Sequence, residues 1–240
     1  MSQIKKKFGL VGKQISYSFS RKYFSEKFKA MGLVQYEYVN YDLSSIEEFP
    51  VKVLADIEDI GGLNVTIPYK ESIMAYLDET DEQAAQIGAV NTIKILEGNK
   101  LKGYNTDAYG FEKSLRSGWK KHQNKALILG TGGASKAVAF VLDAMKIEYL
   151  FVSRKPSGSG IISYAALNKN IIREHQLIIN CSPVGTFPHL DERPDIPYDF
   201  ITDRHFLYDL IYNPEKTSFL KMGESKGAAS INGRSMLEFH

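Results

Sequence analysis

The stretch that most constrains this chain is Gly130-Thr-Gly-Gly-Ala-Ser-Lys-Ala137. It follows a compact apolar run, residues 125–129 (KALIL), and opens a series of helix formers, 134–145. A strand turning through glycines directly into a helix is how α/β sheets hold a dinucleotide. Glycine lets the backbone turn sharply and approach a pyrophosphate closely, and the helix start offers free N–H donors and partial positive charge. Gly130 and Gly132 fit the first two positions of that fingerprint, and Ala134 and Ala137 are small enough for helix–sheet contact. A triphosphatase loop would need Gly-Lys-Ser/Thr, which does not occur. The bland alternative is a glycine-bearing βα turn with no ligand.

The next strand separates the two readings. A site for NAD usually carries Asp or Glu at its end, about 20 residues on, to bind the ribose hydroxyls. Here the strand ends Ser153-Arg154-Lys155, with two cations and no acid. Arginine can pair with a 2′-phosphate in bidentate fashion, so the pattern predicts NADP(H) rather than NAD. Solvated surface cations are the competing explanation.

Around this unit the chain alternates strand and helix. Strands are predicted at 8–11, 36–41, 63–67, 125–129, 149–152, 176–179 and 206–210, and helices at 21–31, 107–117 and 134–145. Residues 92–96 and 100–104 flank Glu97-Gly98-Asn99 as a hairpin. Gly118 stops the 107–117 helix. The alternation predicts an α/β protein of two modules joined near residue 106, with a doubly wound parallel sheet. The length suits one or two domains.

Composition removes several classes. Thirty basic against 28 acidic residues leave +2, too little bias for nucleic acid or an anionic membrane. No run nears the ~20 apolar residues of a membrane helix, and residues 4–11 read as a first buried strand rather than a signal peptide. A single cysteine, Cys181, fits a reducing cytoplasm. No metal site is expected.

The first module carries candidate chemistry. Asn64-Val-Thr-Ile-Pro-Tyr-Lys70 ends a strand and presents a lysine. Taken singly, Lys70 reads as an exposed lysine, Asp107 or Thr106 as a helix cap, Asn91 as a turn residue, and one of Ser16, Ser18 and Ser20 as a cap. Together they read differently. Hydride addition to a ketone creates an alkoxide that must collect a proton, and a lysine beside an aspartate can supply it. A polyhydroxylated substrate needs hydroxyl and amide partners, which Ser18, Ser20, Asn64, Thr66 and Asn91 provide.

Nine blocks in order resemble the shikimate dehydrogenase family. They are Gly12-Lys-Gln-Ile-Ser-Tyr-Ser-Phe-Ser20, Asn64 to Lys70, Gly88-Ala-Val-Asn-Thr92, Asn105-Thr-Asp107, Gly130 to Ala137, Ser153-Arg-Lys155, Ile179-Asn-Cys-Ser-Pro-Val-Gly185, Tyr208-Asp-Leu-Ile-Tyr-Asn-Pro214 and Gly233-Arg-Ser-Met-Leu237. NVTIPYK and NTDAYG are specific to that family, whereas the glycine loop is widely shared. The resemblance implies an N-terminal α/β substrate domain, 1–106 plus 234–240, a C-terminal Rossmann-type NADP domain, 107–233, with a cleft between them, and reversible reduction of 3-dehydroshikimate to shikimate, on the route to chorismate and the aromatic amino acids. By position it implies Lys70 and Asp107 as the catalytic pair, with Ser18, Ser20, Asn64, Thr66, Asn91, Asp107 and Tyr212 around the substrate. It further implies Gly130, Thr131, Gly132, Gly133 and Ala134 at the pyrophosphate, and Ser153, Arg154 and Lys155 at the adenosine phosphate. Leu210 and Gly233 would line the nicotinamide, and Glu82 would touch the cofactor. A cytoplasmic monomer or homodimer is expected.

Departures from the family pattern are local. The first block usually reads Pro-Ile-x-His-Ser-x-Ser-Pro, and here Gln14, Tyr17 and Arg21 stand for Pro, His and Pro. Ser153 and Lys155 flank the retained arginine where Asn and Thr are usual. The crossover between Arg154 and Gln176 is short, and His240 stands where relatives place a substrate-touching glutamine. Two rivals share these residues: an NAD-using quinate/shikimate dehydrogenase, which would carry an acid at the ribose strand, and a non-catalytic shikimate-sensing module, which would not need both Lys70 and Asp107.

Overall fold

The structure is a computed structural model that describes residues 6–16 and 18–238; Tyr17 and His240 lie outside the described residues, as does the start of the strand expected at 4–11. The chain divides into two compact units, Met1–Asn105 and Thr106–His240.

The first unit contains β1 (Lys6–Gly12), α1 (Phe19–Ala30), β2 (Tyr36–Asp42), α2 (Phe49–Lys52), β3 (Ile60–Val65), β4 (Glu79–Thr80), α3 (Glu82–Ile87), β5 (Thr92–Ile95) and β6 (Leu101–Tyr104). Its sheet runs β2-β1-β3-β5-β6-β4. β1 is parallel to β2 and β3, while β5 is antiparallel to β3 and to β6. The β5–β6 reversal is the predicted hairpin, and Gly98 sits in its turn with the left-handed backbone (φ 70°) that glycine reaches without a Cβ clash. Alternate strand residues face opposite ways. Val11, Leu63 and Val65 join Phe49, Ile73 and Ile93 in one buried cluster. Leu10 and Tyr38 face α1, where the Phe24 ring stacks on Tyr38 at 4.7 Å and Phe28 packs on Phe8. Ser18 caps α1, its Oγ accepting from Ser20 N at 3.3 Å, so α1 starts two residues earlier than the sequence suggests.

The second unit contains α4 (Asp107–Leu115), β7 (Lys125–Leu129), α5 (Gly133–Ala144), β8 (Glu148–Ser153), β9 (Ile161–Ser163), α6 (Lys169–Glu174), β10 (Leu177–Asn180), β11 (Phe206–Asp209), α7 (Ser218–Ser225), β12 (Ala229–Ile231) and α8 (Arg234–Glu238). All its strands are parallel, in the order β12-β11-β10-β7-β8-β9. β10 and β11 are buried along their whole length and β7 from Ala126 onward, as expected for central strands covered on both faces. α4 is fixed to β11 by Ser114, whose hydroxyl hydrogen-bonds the Tyr208 hydroxyl, and by Phe111, whose ring meets Tyr208 edge-on at 4.9 Å. α8 packs on α4 and falls in the second compact unit, whereas the sequence grouped 234–240 with the first.

The shortened crossover is visible as a seven-residue link, 154–160, between parallel strands β8 and β9. Such pairs usually need about a dozen residues and a helix. The link succeeds because β9 is only three residues long and Gly158 and Gly160 turn with φ of 92° and 75°.

Leu127 is 0% exposed and Val51 76% exposed. Leu127→Ala should cost about 2–5 kcal/mol through lost transfer energy and the cavity left behind, and Val51→Ala no more than ~0.5 kcal/mol. Chemical denaturation of the two variants checks the contrast.

Candidate functional site

Two constellations form, one in each unit. In the first, β3 ends at Val65 and the chain turns through Thr66 to Lys70. Backbone hydrogen bonds knit this turn to the segment before β5: Val65 N donates to Asn91 O at 2.8 Å and Val90 N to Lys70 O at 2.7 Å. Lys70 and Asn91, 21 positions apart, are thereby neighbours. Asn91 is buried, and its N–H donates to Tyr104 O at 3.0 Å. Asn105 Nδ2 donates to Ala89 O at 2.9 Å, so the strand leading towards α4 is tied to the same turn. Asn64 accepts from the Tyr38 hydroxyl at 2.8 Å, and its Nδ2 lies 3.4 Å from Thr92 Oγ1, which donates to Asn91 Oδ1 at 3.1 Å. Asn64, Thr66, Lys70 and Asn91 are therefore held on one framework. Lys13 N donates to Ile67 O at 3.3 Å and brings the loop carrying Ser18 and Ser20 to the same strand ends.

Asp107 is the first residue of α4 and is buried, in the turn where a carboxylate meets the positive end of the helix dipole. Thr106 occupies the cap position without a capping side-chain bond, so the reading of Thr106 as a side-chain cap does not hold. Lys70 and Asp107 belong to different compact units. Glu82 starts α3 in the first unit and accepts from Gln86 Nε2 at 3.4 Å.

The second constellation lies at the carboxyl ends of β7, β8, β10 and β11. Gly130 has φ 117°, a backbone state that glycine reaches freely, and a Cβ there would sit 3.4 Å from the backbone of Cys181 and Ser182. Gly132 is different, because a Cβ on it would meet nothing within 4 Å. Packing does not require glycine at 132, so leaving the position bare keeps the start of α5 open. Among the described residues no side chain caps that helix, and the N–H groups that open a helix have no partner within it. A pyrophosphate fits there, beside Thr131, Gly133 and Ala134.

Along the same edge, Ser153 ends β8 and its Oγ accepts from Lys155 N at 3.2 Å; Arg154 and Lys155 are exposed. Tyr164 follows β9, whose last residue, Ser163, lies opposite Ser153. Burial pushes the Tyr164 phenol up, and the positive charge of Arg154 opposes the shift. Leu210 follows β11. A Cβ on Gly233 would run into the Leu210 carbonyl, so the two residues expected at the nicotinamide touch each other. Tyr212 lies two residues further on, half-buried.

Sequence reasoning missed the polar centre of this edge. Asp209 ends β11 opposite Asn180 at the end of β10. Its carboxylate accepts from Asn180 Nδ2 at 3.0 Å, Ile211 N at 3.1 Å and Thr217 Oγ1 at 2.6 Å. Asn180 Oδ1 accepts in turn from Ser182 N and Oγ. Burial pushes the Asp209 carboxyl up to about 7, against three donors that favour the charged form. Both residues lie in blocks shared with the family, but Asp209 itself is a lone acid closing an apolar run (Phe206-Leu-Tyr-Asp209), which reads as an ordinary strand end. Tyr164 is hidden because β9 is too short to show a pattern.

The chain is similar to known proteins along nearly all of its length. The family model of the shikimate dehydrogenase substrate binding domain matches residues 10–93. A protein named shikimate dehydrogenase (NADP(+)) from Methanococcus maripaludis is 40% identical over 96% of this chain and 87% of its own length. The crystal structure of shikimate dehydrogenase 1 from Peptoclostridium difficile superposes with a TM-score of 0.85 at 37% identity, covering 98% of this chain and 88% of that one. A shikimate 5-dehydrogenase from Thermus thermophilus, solved with NADP(H) and shikimate, gives 0.83 at 30% identity over 98% and 89%.

The Asp209 shift has a definite sign. The folded protein holds the Asp209 proton to higher pH than the unfolded chain, so this contribution to stability is complete below about pH 4 and is lost as pH rises through about 7. Asp209→Asn cannot ionise. The melting temperature of the variant relative to wild type should therefore rise between pH 5 and pH 8. A constant difference across that range would refute the shift.

Proposed function

The chain belongs to the shikimate dehydrogenase family, and on that premise we propose that it catalyses the reversible NADP-linked reduction of 3-dehydroshikimate to shikimate. The observation that carries the reading is the knitted turn that sets Lys70 against Asn91, with Asn64 and Thr66 on the same framework. That arrangement offers one ammonium among several neutral hydrogen-bonding groups, which suits a polyhydroxylated ring acid bearing a ketone.

The first unit is assigned to substrate and the second to cofactor. Lys70 gives its proton to the ketone oxygen as negative charge develops there, and recovers a proton from solvent. Asp107 orients Lys70 and accepts a hydrogen bond from a neighbouring substrate hydroxyl. Ser18 and Ser20 bind the carboxylate; Asn64, Thr66, Asn91 and Tyr212 hold the remaining polar groups. NADPH, when bound, supplies the hydride. Gly130 to Ala134 receive its pyrophosphate at the start of α5, while Ser153, Arg154 and Lys155 receive the 2′-phosphate. Leu210 and Gly233 flank the nicotinamide, and Glu82 is assigned a cofactor contact. The absence of an acid at the end of β8 favours NADP over NAD. Among the described residues no helix is long and apolar enough to cross a membrane, and the enzyme is assigned to the cytoplasm as a monomer or homodimer.

Steady-state oxidation of shikimate, followed at the nicotinamide absorbance band, tests the assignment. Lys70→Ala should lower kcat by roughly 10²–10⁴; an unchanged kcat removes Lys70 from the chemistry. Arg154→Ala should raise the KM for NADP about tenfold or more, since a charge-assisted bidentate contact is lost, while the KM for shikimate stays put. Equal kcat/KM for NADPH and NADH in the wild type would overturn the cofactor assignment. Turnover of quinate at the expense of shikimate would shift the substrate.

A further inference from the structure

The loop between β1 and α1 is held by an acid on the neighbouring strand. Asp42 ends β2, and its carboxylate spans two successive backbone donors: Gln14 N to Oδ1 at 2.7 Å and Ile15 N to Oδ2 at 3.1 Å. The two N–H groups converge because Gln14 adopts a left-handed backbone, φ 53°. Such a pair of N–H groups is a concave anion site, and here the chain fills it with its own carboxylate. Asn40, two residues earlier on β2 and on the same sheet face, donates from Nδ2 to Ile15 O at 3.1 Å. Ile15 itself is buried against Leu10 and Tyr38.

What hangs from this clamp is the serine pair. Ser18 N donates to Ile15 O at 2.9 Å, and Ser18 Oγ accepts from Ser20 N. Gly12, at the start of the loop, has no room for a Cβ between Ile15 and Thr66. Any shift of Ile15 therefore moves Ser18 and Ser20 relative to Thr66. We propose that Asp42 is a positioning residue for substrate binding: its carboxylate fixes the loop through Gln14 and Ile15 so that Ser18 and Ser20 present their hydroxyls to the substrate carboxylate. The inference rests on the proposed role of those serines and adds a residue that touches neither substrate nor cofactor.

Substitutions at both ends of the clamp test it. Asp42→Ala removes both acceptors and should raise the KM for shikimate about tenfold or more, as expected for losing hydrogen bonds to a charged group. The KM for NADP should stay within about twofold and kcat within about threefold. Asp42→Asn keeps one acceptor oxygen and should fall between. Gln14→Gly keeps the N–H and reaches positive φ freely, so it should behave as wild type. An unchanged shikimate KM in Asp42→Ala, a rise shared equally with NADP, or a Gln14→Gly variant as weakened as Asp42→Ala overturns the proposal.

Amide hydrogen exchange, read residue by residue by NMR, gives a readout free of activity. Gln14 and Ile15 should exchange about tenfold or more slowly in wild type than in Asp42→Ala; equal rates also overturn the clamp. A wild type that turns over no shikimate refutes the proposed function, and the exchange rates then still decide whether Asp42 holds the loop.

Discussion

A strand buried on both faces has nowhere to put a polar side chain except at its ends. That constraint governs the central strands of the second sheet. β10 and β11 are fully buried, so Asn180 and Asp209 appear only as their last residues. Gly130 follows β7 and Ser153 closes β8 in the same way. In the first unit, Gly12, Asp42 and Asn64 stand at or one residue short of the ends of β1, β2 and β3. Parallel strands share a direction, so all these groups gather along one edge of each sheet, where open α/β folds bind their ligands. The helices that follow begin at that edge, and their unsatisfied N–H groups add positive potential there.

The parts of this arrangement that could be read from the sequence are local ones. The glycine turn between 129 and 134 announces itself because strand, turn and helix are contiguous and each has its own composition. The hairpin at 97–99 was legible for the same reason. Cations without an acid at 154–155 are likewise a statement about neighbours in the chain. The knitting of Lys70 to Asn91 is of another kind, since it depends on where β3 and β5 pair, and single residues of those types carry no signal of it. Only the specific block around Lys70, through its likeness to a family, pointed there.

What the sequence hid has physical causes. β9 and β12 are three residues long, too short for a period of two to be seen. Asp209 looks like a strand terminator, and only burial beside Asn180 and Thr217 reveals a carboxyl with an altered proton affinity. Gln14 carries no hint of positive φ, a backbone state that glycine and asparagine signal far better. Asp42 is exposed and would pass for a solvated charge, yet both of its oxygens are engaged by backbone. Exposure of a residue and freedom of its polar atoms are separate properties.

The seven-residue link between β8 and β9 has an architectural consequence. Elsewhere in such sheets the helix returning to an edge strand shields one face and spaces the loop beyond the cofactor strand. Here that spacing has been traded for two left-handed glycines, and the guanidinium and ammonium of Arg154 and Lys155 ride on the short arm itself. The arm begins at a fixed strand end and finishes at Gly160, whose carbonyl is pinned by Phe151 N–H at 2.9 Å. Its anchors are independent of what lies between them. The segment is thus a natural insertion point, where a longer arm or a grafted helix could be accommodated and the coenzyme preference of the protein re-engineered without disturbing the register of the sheet.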